Sequence, residues 1–192
     1  MRRLRSLLFA ALLLPLAVTA TGCGEPQAKV NEPLHHSADG LAFDYPGNWK
    51  VSVERESIES IELVAVTTES KWGNALTIIQ QFKPAVPIDY PTLLDQFIEG
   101  MKQSMVGALV EVHEVEGERA VPTHHALLGE EREGLRMRYT LSLAGESLDH
   151  TVDMFVATLD DRTIVVFTQV ADEDRSKAEP GFEQVMKTLK LE

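Results

Sequence analysis

Residues 135 to 143 alternate. Leu135, Met137, Tyr139, Leu141 and Leu143 take every second place, and Arg136, Arg138, Thr140 and Ser142 fill the places between. Side chains on a strand point to opposite faces with a period of two, so this segment buries one apolar face as a strand. Further on, Thr163 to Val170 carries Val165, Val166 and Phe167 in succession, apolar on both faces. Such a strand needs cover above and below and belongs in the middle of a sheet. The two segments commit the chain to a layered fold built on a sheet.

The other elements follow by the same reading. Leu41, Phe43 and Tyr45 make a short strand, Pro46-Gly47-Asn48 a turn, and Trp49, Val51 and Val53 open a second strand. Ile61 to Thr68 and Gly73 to Phe82 read as strands, with Gln80 and Gln81 near the end of the latter. Short turns between them favour antiparallel pairing. Pro84 and Pro87 interrupt the pattern. Pro91 suits the first turn of a helix, with Asp89 or Tyr90 before it. Leu94, Phe97, Ile98, Met101 and Met105 recur at helical spacing, and Gly107 can end that helix. Leu109 to Val115 and Leu148 to Leu159 are further strands, and Asp160-Asp161-Arg162 is a tight turn. A helix from about Asp174 to Lys190, with Phe182, Val185, Met186 and Leu189 as its apolar stripe, closes the chain. The expected fold is α+β: an antiparallel sheet of about six to eight strands with two principal helices, spanning 39–192.

The first 38 residues read differently. Arg2, Arg3 and Arg5 precede an apolar run from Leu7 to Val18, and small residues lead to the one cysteine, Cys23. The run is short of the roughly 20 residues a membrane span needs. The pattern resembles the bacterial lipoprotein signal, although Ala20 stands where that family prefers Leu. The resemblance implies that 1–22 is a cleaved signal peptide and that the Cys23 thiol is lipidated, holding an exported protein on a membrane. Gly24 in place of Asp favours the outer membrane if the source has two. An ordinary signal cut nearby, leaving a free thiol, and a retained amphipathic anchor are the other readings of Cys23. Residues 24–38 contain two prolines and no sustained periodicity, and read as a flexible tether.

With a single cysteine, no intramolecular disulfide is available, and the domain depends on its own core. Residues 23–192 are enough for one domain. The formal charge of the whole chain is −12. Removing 1–22 takes away three arginines and no acids, which leaves −15. So acidic a surface argues against nucleic acid as a partner and against peripheral adhesion to anionic lipid headgroups.

The run Gly40-Leu41-Ala42-Phe43-Asp44-Tyr45-Pro46-Gly47-Asn48-Trp49-Lys50-Val51 resembles the opening of PsbP-like domains, where F-x-Y-P-x-x-W leads the first hairpin. The long final hairpin, its Asp-Asp turn and the closing Phe-x-x-Val-Met-x-x-Leu helix are similar to the same superfamily, which includes bacterial lipoproteins of the DcrB type. The resemblance covers about 39–192. It implies an α/β/α sandwich around an antiparallel sheet and a binding or assembly module without an active site.

Tyr45 and Trp49 flank the Pro-Gly turn and suit packing across the hairpin, or an aromatic contact platform at the sheet edge. Trp72, in the polar loop Glu69 to Asn74, is the better contact candidate, with Lys71 and Asn74 beside it; folding back onto the core is its alternative. His35-His36 lies in the tether, and His124-His125 reads as a loop. His113 and His150 read as strand-face residues that change charge near neutral pH. Their spacing matches no zinc site, so no metal and no cofactor are expected. The clusters Glu114/Glu116/Glu118, Glu130/Glu131/Glu133 and Asp172-Glu173-Asp174 border basic residues and read as solvated turns. No G-x-S-x-G elbow, S-x-x-K or phosphate-binding glycine loop occurs, so no catalytic residue is assigned. The expected function is a lipid-anchored, non-catalytic envelope module bound to an envelope protein. The alternative is a carrier of a small apolar ligand or lipid, in a pocket lined by Met101, Met105, Met137 and Met154. No motif specifies an oligomeric state.

Overall fold

In chain order the strands are β1 Leu34–Ala38, β2 Leu41–Tyr45, β3 Lys50–Ile58, β4 Ile61–Glu69, β5 Ala75–Lys83, β6 Val110–Glu114, β7 Val121–Leu127, β8 Glu130–Leu143, β9 Glu146–Thr158, β10 Thr163–Ala171 and β11 Lys190–Leu191. Helix α1, Tyr90–Ser104, follows β5, and α2, Arg175–Thr188, follows β10 through a short 3-10 turn at Asp172–Asp174. The computed structural model describes residues 25–104 and 110–192. Cys23 and the signal segment, with Gly24, Met105, Gly107 and Leu109, lie outside the described residues.

Eight strands form an antiparallel sheet in the order β3-β4-β5-β10-β9-β8-β6, with β7 paired to the first half of β8. Strand β10 is buried along its whole length and sits midway, as its doubly apolar sequence predicts. Alternation divides its side chains between two cores. Val165 and Phe167 join Leu76, Ile78, Met137, Tyr139 and Met154 on one face, under Leu93, Leu94, Phe97, Ile98 and Met101 of α1. Ile164, Val166 and Val170 join Ile79 and Phe155 on the other, against Phe182, Val185 and Met186 of α2. On this second face Leu41, Phe43 and Tyr45 also pack, carried by a small sheet of order β1-β2-β11.

Local chemistry sets the ends of α1. The Asp89 carboxylate accepts a hydrogen bond from the Thr92 amide at 3.0 Å, which satisfies an orphan donor of the first turn. The Tyr90 hydroxyl donates to the Glu133 carbonyl at 2.9 Å and accepts from the Val156 amide at 3.2 Å, tying the helix start to β8 and β9.

The Pro46-Gly47-Asn48-Trp49 turn is a wedge between the small sheet and α2. Trp49 is buried and meets Phe182 edge-on, with ring centroids 5.6 Å apart. Such a pair contributes about 0.5–1.5 kcal/mol beyond its burial. The helix approaches closely because position 181 has no side chain. A Cβ there would lie 2.7 Å from one carbon of the Trp49 ring and 2.9 Å from Pro46 Cγ. Gly47 is tighter still, since a Cβ would meet the Glu32 carbonyl oxygen at 2.1 Å.

Several expectations change. The segment read as a tether is folded. Leu34–Ala38 is β1, paired with β2, and Ala28 is buried with its amide on the Lys177 carbonyl at 3.0 Å. The described fold therefore reaches back to Glu25, and His35 and His36 belong to a strand. The segment has no apolar alternation of its own; it folds on β2 just downstream and on the start of α2 about 150 residues away. His124 and His125 are also in a strand, β7, whose Thr123, His125 and Leu127 turn inward. The closing helix ends at Thr188, and Lys190 and Leu191 pair with β2.

His150 is buried and stacks on the buried Tyr139 ring at 5.3 Å. Burial holds its imidazole below the ordinary range, so it does not change charge near neutral pH as expected from sequence.

Two outcomes follow. Gly181→Ala gains about 1 kcal/mol in helix propensity. It loses more, about 1–3 kcal/mol, by overpacking against rigid rings. A lower urea midpoint with an unchanged slope is expected. The second concerns pH. His150 remains neutral in the fold where the unfolded chain protonates it, so the unfolded chain binds more protons and stability falls on acidification. His36, likewise held down by burial, adds to that slope, while Glu25, raised by burial, opposes it. Between about pH 7.5 and pH 5.5, the fall in urea midpoint is expected to be smaller for His150→Phe than for the unsubstituted chain.

Candidate functional site

Beyond α2 the second face of the main sheet turns polar. The register places Arg136 opposite Asp153, Arg138 opposite Thr151, Thr140 opposite Asp149 and Ser142 opposite Ser147. These are the outward residues of the alternation in 135–143, and they are joined in rows. Arg136 grips Asp153 with two parallel bonds, Nε to Oδ1 at 2.6 Å and Nη2 to Oδ2 at 2.8 Å. Arg138 donates to Asp172 Oδ2 at 2.7 and 3.0 Å and to both Glu118 oxygens at 3.1 Å. Thr151 donates to Asp172 Oδ1 at 2.6 Å and Thr140 to Asp149 at 2.6 Å.

Where this face meets α2 there is a cleft of about 160 Å³. Arg136, Asp153, His125, Arg175 and Glu183 line it over Phe155, Phe182 and Met186. His125 Nε2 lies 2.9 Å from Glu183 Oε1, and Arg175 Nη2 lies 3.6 Å from Asp153.

The electrostatics limit what this surface can do. Burial opposes ionisation of Asp172, but the bonds from Thr151 and Arg138 outweigh it and hold the carboxyl below its usual range. A carboxylate held so firmly ionised is a weak general base for the Thr151 hydroxyl beside it. The Arg136 and Arg138 guanidiniums are raised by the carboxylates that face them, Asp153 and Asp172 respectively. An anion entering the cleft would have to displace those partners. Among the described residues, no three His, Cys, Asp or Glu side chains converge as a metal site would require. The surface is suited to contact through a rigid pattern of paired charges.

The second candidate is the β4–β5 loop. Trp72 is exposed, so it does not fold back onto the core, and Lys71 Nζ stands 4.8 Å from the centre of its ring. Asn74 has a different job. Its Nδ2 donates to Asp174 Oδ2 at 3.0 Å and its carbonyl accepts from the Ala171 amide at 3.0 Å, so it joins the loop to the start of α2. Asp174 is buried and also accepts from the Glu25 amide at 3.1 Å and from Lys177 Nζ at 2.8 Å. The reading of Asp172-Glu173-Asp174 as a solvated turn thus fails at both aspartates. Acids at a helix start were the available signal; their distant partners were not.

Glu25 was missed altogether. It is buried, and its Oε1 accepts from the Trp72 amide at 3.4 Å. Nothing near it in sequence marks it. Two of the other histidines pair locally: His35 with Asp44 at 2.7 Å and His113 with Glu111 at 3.1 Å. Met101, Met137 and Met154 are packed in the core under α1, on the face away from the polar cleft.

No family model matches the chain, and no curated protein sequence does. Among solved structures it is similar to cyanobacterial PsbP (CyanoP) from Synechocystis sp. PCC 6803, at 11% identity over 91% of this chain and 98% of that one, with a TM-score of 0.49. It is also similar to LpqN of Mycobacterium tuberculosis, described as involved in cell envelope biogenesis. There the identity is 13% over 83% of this chain and 88% of that one, with a TM-score of 0.39. Neither likeness assigns this chain a role.

The Arg136–Asp153 pair gives a direct test of the paired surface. Asp153 is 14% exposed at its side chain. Arg136→Met leaves it with Arg175 at 3.6 Å as its remaining cation. The expected loss is about 1–3 kcal/mol, the cost of an undersatisfied charged acceptor. In a double-mutant cycle with Asp153→Asn, the paired variant should lose less than the sum of the single losses, as read from chemical denaturation.

Proposed function

We propose that the chain is a lipid-anchored, extracytoplasmic, non-catalytic module of the bacterial cell envelope that binds an envelope protein through the open polar half of its sheet. One observation carries the binding part. Strands β8 and β9 run past the cover of α2 and present fixed rows of paired polar side chains, without a free base or a free cation among those rows. The anchor part rests on Cys23 and the signal-like segment before it. The helix–sheet–helix order of a PsbP-like sandwich belongs to the same reading, supported by the two cores on opposite faces of β10. Charge complementarity favours a partner with basic side chains, since acids outnumber bases on this chain.

Two measurements on the full chain test this in cells. A photo-crosslinking residue at Thr140 is expected to give one defined adduct with an envelope protein, while the same residue at Val51, on the far edge strand, gives none. Cys23→Ser is expected to abolish palmitate incorporation and release the protein from the membrane fraction. Palmitate on the serine variant would sink the anchor, and equal adducts at both positions would sink the binding face.

A further inference from the structure

The anchor and the Trp72 loop are neighbours, and covalent geometry makes them so. Glu25 is fastened at both ends: its amide donates to Asp174, and its carboxylate accepts from the Trp72 amide. Cys23 is two residues away, so its Cα lies within about 7 Å of the Glu25 Cα. A headgroup layer is on the order of 6 Å deep. Lipid on Cys23 therefore brings the Trp72 loop to the membrane surface, because no free tether separates them.

The loop has the chemistry of that surface. Among the described residues the exposed large apolar side chains are Val30, Leu34, Val51, Trp72 and Val121, and Trp72 alone of these is aromatic. An indole with a lysine amine over it suits the boundary between headgroups and acyl chains, where tryptophan and lysine anchor proteins. The end of the sheet that carries the loop also carries Lys50, opposite Glu69 on the neighbouring strand, and Lys177. Exposed Glu173 and half-buried Asp172 are further acids there, and Asp174 is buried and ionised. Lys50, Lys71 and Lys177 thus stand at this end of a chain of net charge −12.

We propose that Trp72 and Lys71 dock into the interface of the bilayer that holds the Cys23 lipid, fixing the domain against the membrane with its Glu25–Asp174 end down. The inference rests on the anchor proposed above. It assigns the Trp72 contact to lipid and leaves the β8–β9 face for a protein partner.

The test uses the full chain, matured in a bacterial host, extracted, and reconstituted into phosphatidylcholine–phosphatidylglycerol vesicles with plain or brominated acyl chains. Trp49 is buried and serves as the internal reference, isolated by a Trp72→Phe variant. The expected result is a blue shift and loss of Trp72 emission on brominated lipid, with protection from aqueous acrylamide. Trp72→Phe should keep the lipid mass on Cys23 and float with the vesicles, yet lose the bromine effect. A chain that carries the lipid and floats, with Trp72 emission indifferent to bromine and open to acrylamide, overturns the docking and leaves the anchor standing. Protection of Trp72 only after an envelope protein is added overturns it in favour of a protein contact. A chain without lipid mass at Cys23 overturns anchor and docking together.

Discussion

Strand β10 cannot tolerate water on either face, and most of the architecture answers that requirement. Val165 and Phe167 demand one cover and Ile164, Val166 and Val170 another. Helix α1 supplies the first. The second is composite: α2 lies over β10 and β5, and the sheet of β1, β2 and β11 packs in the same core. Because α2 covers part of that face, β8 and β9 extend beyond it with polar side chains outward. The open surface is a consequence of how much cover the apolar strands need.

The seat of α2 is fixed at two places. Along its length, Gly181 lets the helix backbone close on Trp49 and Pro46. At its start, Asp174 gathers Asn74, Lys177 and Glu25 into one buried cluster of hydrogen bonds. Burial works against the ionised Asp174, and the bonds from Lys177 and Asn74 outweigh it and hold its carboxyl low. Three distant pieces of chain meet there: the N-terminal segment, the β4–β5 loop, and the junction of β10 with α2. The arrangement leaves Trp72 outside, held by its backbone while its ring faces solvent.

The legible part of the fold was the part written in period two or in helical spacing. Leu135 to Leu143, Thr163 to Val170, the helix after Pro91 and the closing helix were all visible, because apolar periodicity is a local record of burial. What was illegible had no such record. Residues 25–38 are polar and carry two prolines, yet they fold because β2 and α2 offer them partners. Strand β7 hid behind Pro122 and two histidines. Asp172 and Asp174 looked like surface acids until Arg138, Thr151, Asn74 and Lys177 were placed beside them.

The sequence by itself determined the antiparallel sheet, the central place of β10, the two helices, and the outward row Arg136, Arg138, Thr140 and Ser142. Each is a matter of local spacing against a strand or helix period. Only the tertiary structure decided where those outward side chains find their carboxylates, that Trp72 stays exposed while Trp49 is buried, and that Glu25 is bound two residues from Cys23. These depend on hydrogen bonds and close approaches between segments up to about 150 residues apart, and such pairings leave no periodic trace in a single sequence.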